Sequence, residues 1–559
     1  MRFLTSSLLI VSIFLFSTNP AQAKEEEQKN KGTLSGGFET NTIYYLEDNA
    51  MGNYSPPKNK YGSNNYLKLE YKYGNFSAGI QAEYFPQAIQ GYESTLNGFA
   101  IPTKYVRWDD KNFSVTVGDF YDQLGSGILF RAYEDRFLGI NNSLLGAKVN
   151  FNILDYIQGK VFYGIPRNYM GYGRSYSPSQ TQVTKGFDFF DTYTHSNVPG
   201  DITQVIGGDI SFDLSYALGI MNHRILLEGS VLQRMERHID KLLPSQINGK
   251  NVPLNNLSYS ARAVYEWNTL SVRGEYIGKQ EDIYFNNKTG EAELRPGNAQ
   301  LLEINYSLGR FTALGILRRL DNMQNTLYRT SNLLPSNTLN YIPALSLQQS
   351  YSLALIKPLS AYPNGEIGGQ LDLFYNIKRA WKLHVNGSWV QSLTKANRQD
   401  FSTLIYRDFT IDVERWWSKK FKSILFVSIQ EIANDGGKGN DGTTEAKNVF
   451  VADLTYKFTR KLSLRGEFQY LYSQEGTKDW IAAMFELNFA PKWSFYVGDM
   501  YNTGGDKLHY YNIGTSFSHK NLRVAANFGR NRSGYVCSGG VCRLQPEYTG
   551  ANLMLTYLF

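Results

Sequence analysis

The chain has 559 residues, a formal net charge of +7 and 14% aromatic residues, with 40 Tyr and 33 Phe against a mean hydropathy of −0.37. Beyond a short apolar run at the start, no stretch approaches the roughly 18 apolar residues of a membrane helix, which excludes a helical membrane protein. The basic excess is mild and dispersed, whereas nucleic acid demands a concentrated patch, so no nucleic-acid partner is expected.

The start follows the secretory pattern. Arg2 supplies the positive charge, Leu4 to Phe16 form a short apolar core, and Ala21-Gln22-Ala23 offers small residues for cleavage. Residues 1–23 are expected to be a signal peptide, 24–31 a polar mixed-charge stub and 32–559 the folded unit. The apolar run is too short for an uncleaved anchor, and no Cys follows the cleavage site to carry a lipid.

The next informative segment begins where Val115-Thr116-Val117 reads as strand. From Gly118-Asp119-Phe120-Tyr121-Asp122-Gln123-Leu124-Gly125-Ser126-Gly127 onward, alternation stops. A loop folded into a lumen would set Asp119, Asp122, Glu134 and Asp135 near Arg131 and Arg136, and such charged rings set pore selectivity. The simpler alternative is that these side chains pair with each other and brace a wall.

Strict alternation follows. In Leu270-Ser271-Val272-Arg273-Gly274-Glu275-Tyr276 one face is apolar and the other carries Arg273 and Glu275. Tyr406 to Arg415 alternates Arg407, Phe409, Ile411 and Val413 against Tyr406, Asp408, Thr410, Asp412 and Glu414. Leu462 to Tyr470 sets Leu462, Leu464, Gly466, Phe468 and Tyr470 against Ser463, Arg465, Glu467 and Gln469. Apolar-out and charged-in is the pattern of a water-containing transmembrane barrel, whose side chains alternate between lipid and lumen.

Two further segments invite chemistry. Asn434 to Gly442 could offer oxygens to calcium, but it lacks the spacing and terminal Glu of a calcium loop and contains Lys438; an exposed tip is the simpler reading. Cys537 and Cys542, the only cysteines, should be oxidised in an exported protein. So small a ring is worth on the order of 2 kcal/mol, so the bridge should shape a loop rather than hold up the fold.

The last strand carries Leu553, Leu555, Tyr557 and Phe559 on one face. Tyr557 and Phe559 look like the terminal signal read by the outer-membrane barrel assembly machinery. Short turns such as Tyr73-Gly74-Asn75, Trp267-Asn268-Thr269, Gly309-Arg310 and His519-Lys520-Asn521 form one series of connections. Longer ones, roughly 46–64, 86–102, 121–142, 165–202, 234–255, 280–297, 322–346, 433–446 and 531–546, form the other. This is the outer-membrane asymmetry of short periplasmic turns and long outer loops. Tyr44, Tyr45, Trp108, Trp267, Trp416, Trp417, Trp480 and Trp493 stand at strand ends, where aromatic girdles are expected. The expectation is therefore an all-β, antiparallel transmembrane barrel of about 24 strands, with 22 or 26 as the alternatives. The ambiguous region is 340–380, where Tyr351 to Leu359 reads as a strand or an inward-folded loop. No stretch of about a hundred residues is left for a plug domain or a soluble enzyme.

Catalysis has little support. The six histidines, His195, His223, His238, His384, His509 and His519, are scattered, and no G-x-S-x-G elbow occurs. No enzyme, metal site or cofactor is expected; a hydrolase site assembled across strands is the alternative.

With these residues in view, the chain resembles an uncharacterised family of Bacteroidota outer-membrane proteins, domain of unknown function 6029. The resemblance rests on Gly118 to Gly127, Arg131-Ala132-Tyr133-Glu134-Asp135-Arg136, Pro363-Asn364-Gly365-Glu366 and Gly540-Val541-Cys542-Arg543. It implies a large barrel over the whole mature chain and no agreed activity. The expected location is the Gram-negative outer membrane, with lipid around the barrel. Two functions stay open. One is a porin-like channel for small solutes of unknown identity, lined by Arg273, Glu275, Arg465 and Glu467 and narrowed by Asp119, Asp122, Arg131 and Glu134. The other is a scaffold whose outer loops bind a surface lipoprotein or secreted protein.

Overall fold

The computed structural model describes residues 32–52, 54–92, 96–167, 203–237, 245–285, 292–328, 337–378, 380–393, 403–434, 443–538 and 541–559. The expected signal peptide and stub, His195, His238, most of loop 165–202 and the tip 435–442 lie outside the described residues.

Twenty-four strands form one antiparallel sheet. In chain order they are β1 Thr33–Leu46, β2 Tyr61–Tyr73, β3 Phe76–Gln87, β4 Gly98–Asp109, β5 Phe113–Phe120, β6 Leu144–Ile153, β7 Ile157–Pro166 and β8 Gln204–Asp213. Then come β9 Arg224–Met235, β10 Asn255–Trp267, β11 Leu270–Phe285, β12 Ala292–Leu308, β13 Phe311–Asp321, β14 Gly365–Lys378, β15 Trp381–Ser392 and β16 Leu404–Trp416. The last third is β17 Phe421–Ala433, β18 Thr444–Lys457, β19 Leu462–Tyr472, β20 Trp480–Phe489, β21 Trp493–Asn502, β22 Asn512–His519, β23 Leu522–Asn531 and β24 Tyr548–Leu558. Each strand pairs with its sequence neighbour, and β1 pairs with β24 from Gly37↔Leu558 to Leu46↔Thr549, which closes the barrel. Closure leaves no edge with unpaired backbone groups, the condition for a sheet to cross lipid.

The outer surface follows the alternation. Val106, Ile210, Leu425, Ile429 and Val497 point away from the lumen and are exposed, as are Tyr276, Phe409, Phe468 and Leu553 on the faces read as apolar. Tyr44, Trp108, Trp267, Trp417 and Trp493 are exposed at strand ends. Tyr45 and Trp480 are not girdle residues: Tyr45 is buried and accepts from the Gln90 amide, and Trp480 packs inside the barrel against Tyr510. Both fall on the inward parity of their strands, which aromatic character alone does not reveal.

The short turns lie at one end of the barrel. Asn268, Gly309 and Lys520 take positive φ there (51°, 60° and 51°), the geometry of tight two-residue hairpins. The longest of these connections carries the one-turn helix α1, Leu214–Leu218, capped by the Asp213 carboxylate on the Tyr216 amide and by Gly219 in left-handed geometry. At the other end the chain departs from expectation in two places. Loop 280–297 is largely strand, because β11 and β12 stay paired out to Phe285↔Ala292 across a bulge. The connection after β13 runs to residue 364 rather than 346; of the two readings of Tyr351 to Leu359 the inward-folded loop is the one observed, with one helical turn.

Burial along the strands is graded. In β1, β2, β18 and β19 the inward positions are buried toward the long loops and exposed toward the short turns. The lumen is thus filled in its long-loop half and is an open cup at the turn side.

Candidate functional site: the lumen and its plug

Two connections fill the lumen. Residues 121–142 make two tiny hairpins, Asp122–Leu124 with Phe130–Ala132 and Glu134–Asp135 with Ile140–Asn141. Residues 322–364 have almost no regular structure among those described. The two segments bind each other across the lumen. The Arg131 amide donates to Leu339 O (2.9 Å) and the Tyr341 amide to Gly127 O (3.0 Å). Asn340 Nδ2 donates to Ile128 O (2.9 Å) and Met323 O (2.7 Å), and Asn142 Nδ2 to Thr338 O (2.8 Å).

Apolar side chains then fix the plug to the wall on several sides. Leu124, Ile128, Leu129, Phe130, Met323, Leu327 and Leu339 pack with Phe162, Val205, Leu232, Ile277, Leu301 and Leu320. Leu345 and Leu359 meet Val390, Ile405, Tyr406 and Ile432. Tyr351, Leu353, Ala354 and Ile356 meet Phe426, Val449, Val451, Leu471 and Trp480.

Irregular backbone inside a barrel needs hydrogen-bond partners. Wall cations supply them. Lys148 donates to Tyr121 O (3.1 Å), Lys160 to Gln123 O (2.6 Å), Lys279 to Gln324 O (2.8 Å) and Arg234 to Thr326 O (3.1 Å). Arg318 donates to Pro343 O (2.6 Å) and Lys447 to Ile356 O (2.5 Å). Hydrogen bonds from charged donors are worth about 1.5–3 kcal/mol each, so these contacts hold the plug more firmly than neutral ones would.

The residues singled out from sequence divide into two groups. Asp119 is a wall residue, buried against Lys104, whose amide (2.9 Å) and ammonium (3.1 Å) both donate to it. Asp122 accepts from Lys160 (2.6 Å) and pairs with Lys148 (3.1 Å). Glu134 accepts from Gln81 and pairs with Arg136, which also reaches Glu39 (2.9 Å); Asp135 accepts from the Leu138 amide. Arg131 lies over the rings of Tyr133 (4.8 Å) and Tyr341 (4.2 Å). Burial pushes both tyrosine hydroxyls above their ordinary pKa, so they stay protonated at neutral pH. Glu275 is buried beneath the plug, where it accepts from the Ser126 amide (3.1 Å) and lies beside Arg262. Arg273 and Arg465 are partly exposed lower in the cup. There Arg273 pairs with Glu303, and Arg465 joins Asp453, Glu467 and Glu486. Apart from Asp119, which braces the wall, the first group holds the plug; in the second, Arg273 and Arg465 are partly exposed in the cup while Glu467 is buried beside Arg465.

Sequence reasoning left Tyr351 to Leu359 open between a strand and an inward-folded loop and missed the rest of the second plug segment and the wall cations, whose one visible signal is a Lys or Arg at an inward position near the long-loop end of a strand. It also missed that the fold sets His384 between Asp372 (2.9 Å) and Asp412 (2.7 Å) in the cup, stacked on Phe374.

The outer rim is tied down as well. Cys537 and Cys542 form a disulfide within the hairpin of Gly534–Ser538 and Val541–Gln545. That hairpin leans on both plug segments. Ser360 Oγ donates to Cys542 Sγ (3.4 Å), Arg543 donates to Phe137 O (3.4 Å), and the same guanidinium lies over Tyr92. Loop 47–60 is pinned by Asp48, which accepts from Arg530 (2.7 and 2.9 Å) and Thr549 (2.6 Å). The Arg530 hydrogen bond, aided by that of Thr549, holds the Asp48 carboxyl below its usual range against the opposing effect of burial. A depressed carboxyl stabilises the docked loop above the ordinary Asp pKa of about 4, and this is lost as pH falls through the lower folded value. Protease cleavage in loop 47–60 should therefore be slow at neutral pH and rise below about pH 4; Asp48→Asn should remove most of that pH dependence.

Several solved barrels are similar to this chain. The P pilus usher (PapC) translocation pore matches with a TM-score of 0.41 and 10% identity, covering 94% of this chain and 99% of that one. The copper transporter OprC matches with a TM-score of 0.41 and 9% identity, covering 96% and 82%. The siderophore receptor PirA from Pseudomonas aeruginosa matches with a TM-score of 0.39 and 8% identity, covering 95% and 81%. No curated protein matches the chain. A closed 24-stranded wall with an apolar outer belt is a transmembrane barrel of the outer-membrane type, and the model of the family of unknown function DUF6029 matches residues 2–559: the chain belongs to that family.

Proposed function

We propose that the protein is a porin-like channel for small solutes in the bacterial outer membrane, whose resting state is closed by its own loops. The observation that carries this reading is the plug. Two connections from distant parts of the chain bind each other and are held by wall cations above a partly exposed, charged cup. A barrel with a purely structural wall has no need of such a cup. The reading includes export by the leader 1–23 with cleavage after Ala23, the solvated stub 24–31, and assembly through Tyr557 and Phe559. It has no catalytic step.

The test is conductance of the purified barrel in a planar bilayer, intact and with residues 122–141 replaced by a short Gly/Ser linker. The expected result is a quiet intact barrel and a steady conductance, many-fold larger, after excision. Silence in both forms would overturn the channel reading. It would favour the scaffold reading, which the filled long-loop half supports, with a surface lipoprotein or secreted protein on the outer loops.

A further inference from the structure

The plug does not cover the wall evenly. On β18 and β19, the inward residues Lys447, Val449, Val451, Gln469 and Leu471 are all buried. On β21, β22 and β23 almost no inward side chain is. Val497, Ile513 and Phe528 mark the outward face there, and the alternate positions remain partly open to the lumen. Met554 on the adjoining β24 is inward and 46% exposed. Among the described residues, the plug therefore leaves this sector partly uncovered, with Met500 at its loop end packed against the cluster that holds Tyr351 to Ile356.

Its lining differs from the rest of the lumen. Tyr496, Met500, Asn512, Ser516, Asn527 and Met554 face inward, and the described inward positions between them carry no charge. Among the described residues, charged groups stand at its ends and along its β20 edge. Arg523 lies toward the turns and Arg530 is bound to Asp48 toward the loops, while Glu486 on the neighbouring β20 stands level with Tyr496 at the lateral edge, where it accepts from Ser494 and pairs with Arg465. Tyr496 lies flat against the wall, because its register partner is Gly514. A Cβ at Gly514 would meet the Tyr496 ring at 2.5 Å, so any larger residue would push the ring into the lumen. The Tyr496 hydroxyl donates to Asn512 Oδ1 (2.9 Å), which fixes both. The result is an aromatic face flanked by side-chain amides. That combination suits an uncharged ligand with an apolar C–H face and a rim of hydroxyls. At its long-loop end the sector meets Tyr510 and the disulfide hairpin, whose Arg543 reaches the plug.

We propose that solute crosses the barrel between plug and wall along β21–β23, and that this passage selects uncharged, polyhydroxylated solutes of the sugar class. The proposal rests on the channel reading and adds the route and the chemistry.

The test uses the full barrel with residues 534–545 replaced by Asn-Gly, which also removes both cysteines. Heat-modifiable migration on gels reports folding; if that variant does not assemble, Cys537→Ala/Cys542→Ala/Arg543→Ala in the full hairpin takes its place. The open-hairpin barrel should conduct with its plug intact. Adding Asn527→Cys should let a bulky thiol reagent remove at least half of that conductance. Asn305→Cys, on the opposite wall, should leave it nearly unchanged. In liposome swelling, a neutral disaccharide should enter several-fold faster than a charged solute of equal size. Block at Asn305→Cys but not at Asn527→Cys, or faster entry of the charged solute, would overturn the proposal while leaving a channel. An open-hairpin barrel that stays silent while the plug-excised barrel conducts would overturn it too. Silence of both would instead remove the channel reading on which it rests.

Discussion

Arg234→Ala is expected to detach the 322–364 segment from the wall, at a cost of about 3–5 kcal/mol, the range for breaking a buried ion pair by removing one partner. Arg234 is almost fully buried. It pairs with Asp282 (3.0 Å) and Glu236 (3.1 Å), donates to Asn325 Oδ1 (2.8 Å) and Thr326 O (3.1 Å), and lies over Tyr328. Alanine leaves the buried Asp282 carboxylate with Lys279, bonded to it at 3.1 Å, and takes the Arg234 contact away from the buried Glu236. The Thr326 carbonyl loses its wall donor at the same time. Protease cleavage within 322–364 should become fast while the heat-modifiable barrel band persists. Arg234→Lys keeps the charge but not the fork of donors and should recover only part of the protection. Unchanged protease resistance would show that the apolar contacts alone hold the plug.

Gly118→Val is expected to prevent assembly, with a penalty of at least about 3 kcal/mol from backbone strain and overpacking together. Gly118 has a φ of +111°, and a Cβ there would stand 2.2 Å from Lys104 O and 2.8 Å from Tyr105 Cα. The close approach matters because β4 and β5 stop pairing at Tyr105↔Gly118. Beyond it the Asp119 carboxylate takes over from the ladder by accepting from the Lys104 amide. The substitution therefore strikes the junction where wall becomes plug. Yield of the heat-modifiable form after refolding measures the effect, and wild-type yield would refute the argument.

The wall was legible in the sequence and the plug only in part, for one physical reason. Lipid imposes a period of two, so Phe409, Phe468 and Tyr276 declare their side of the sheet from local pattern alone. The plug answers to no period. Leu353 sits against Gln469 and Leu339 against Arg131, partners set by barrel curvature rather than by spacing. The segment Gly118 to Asn142 was visible as a break in alternation, but the partners of Asp122, Lys148 and Lys160, lie on strands that follow it, and register across a wall cannot be counted from one strand. Residues 322–364 were marked only by the ambiguity of Tyr351 to Leu359, which is as apolar as a strand and so reads equally as a strand or an inward-folded loop.

The bridge between the two plug segments has a consequence for how the barrel is made. Every seam of the wall joins sequence neighbours except the one between β1 and β24, which closes a loop of roughly five hundred residues and costs about 3 to 4 kcal/mol more entropy than a hairpin. A plug formed early ties the connection after β5 to the connection after β13 and holds those two arcs at a fixed span. The open sheet is then already bent, and its two free edges are brought toward each other before they pair. Plug contacts made in that order would act as a former on which the cylinder is wound, and weakening them is then expected to slow the closing of the seam, as the refolding rate of the heat-modifiable form measures.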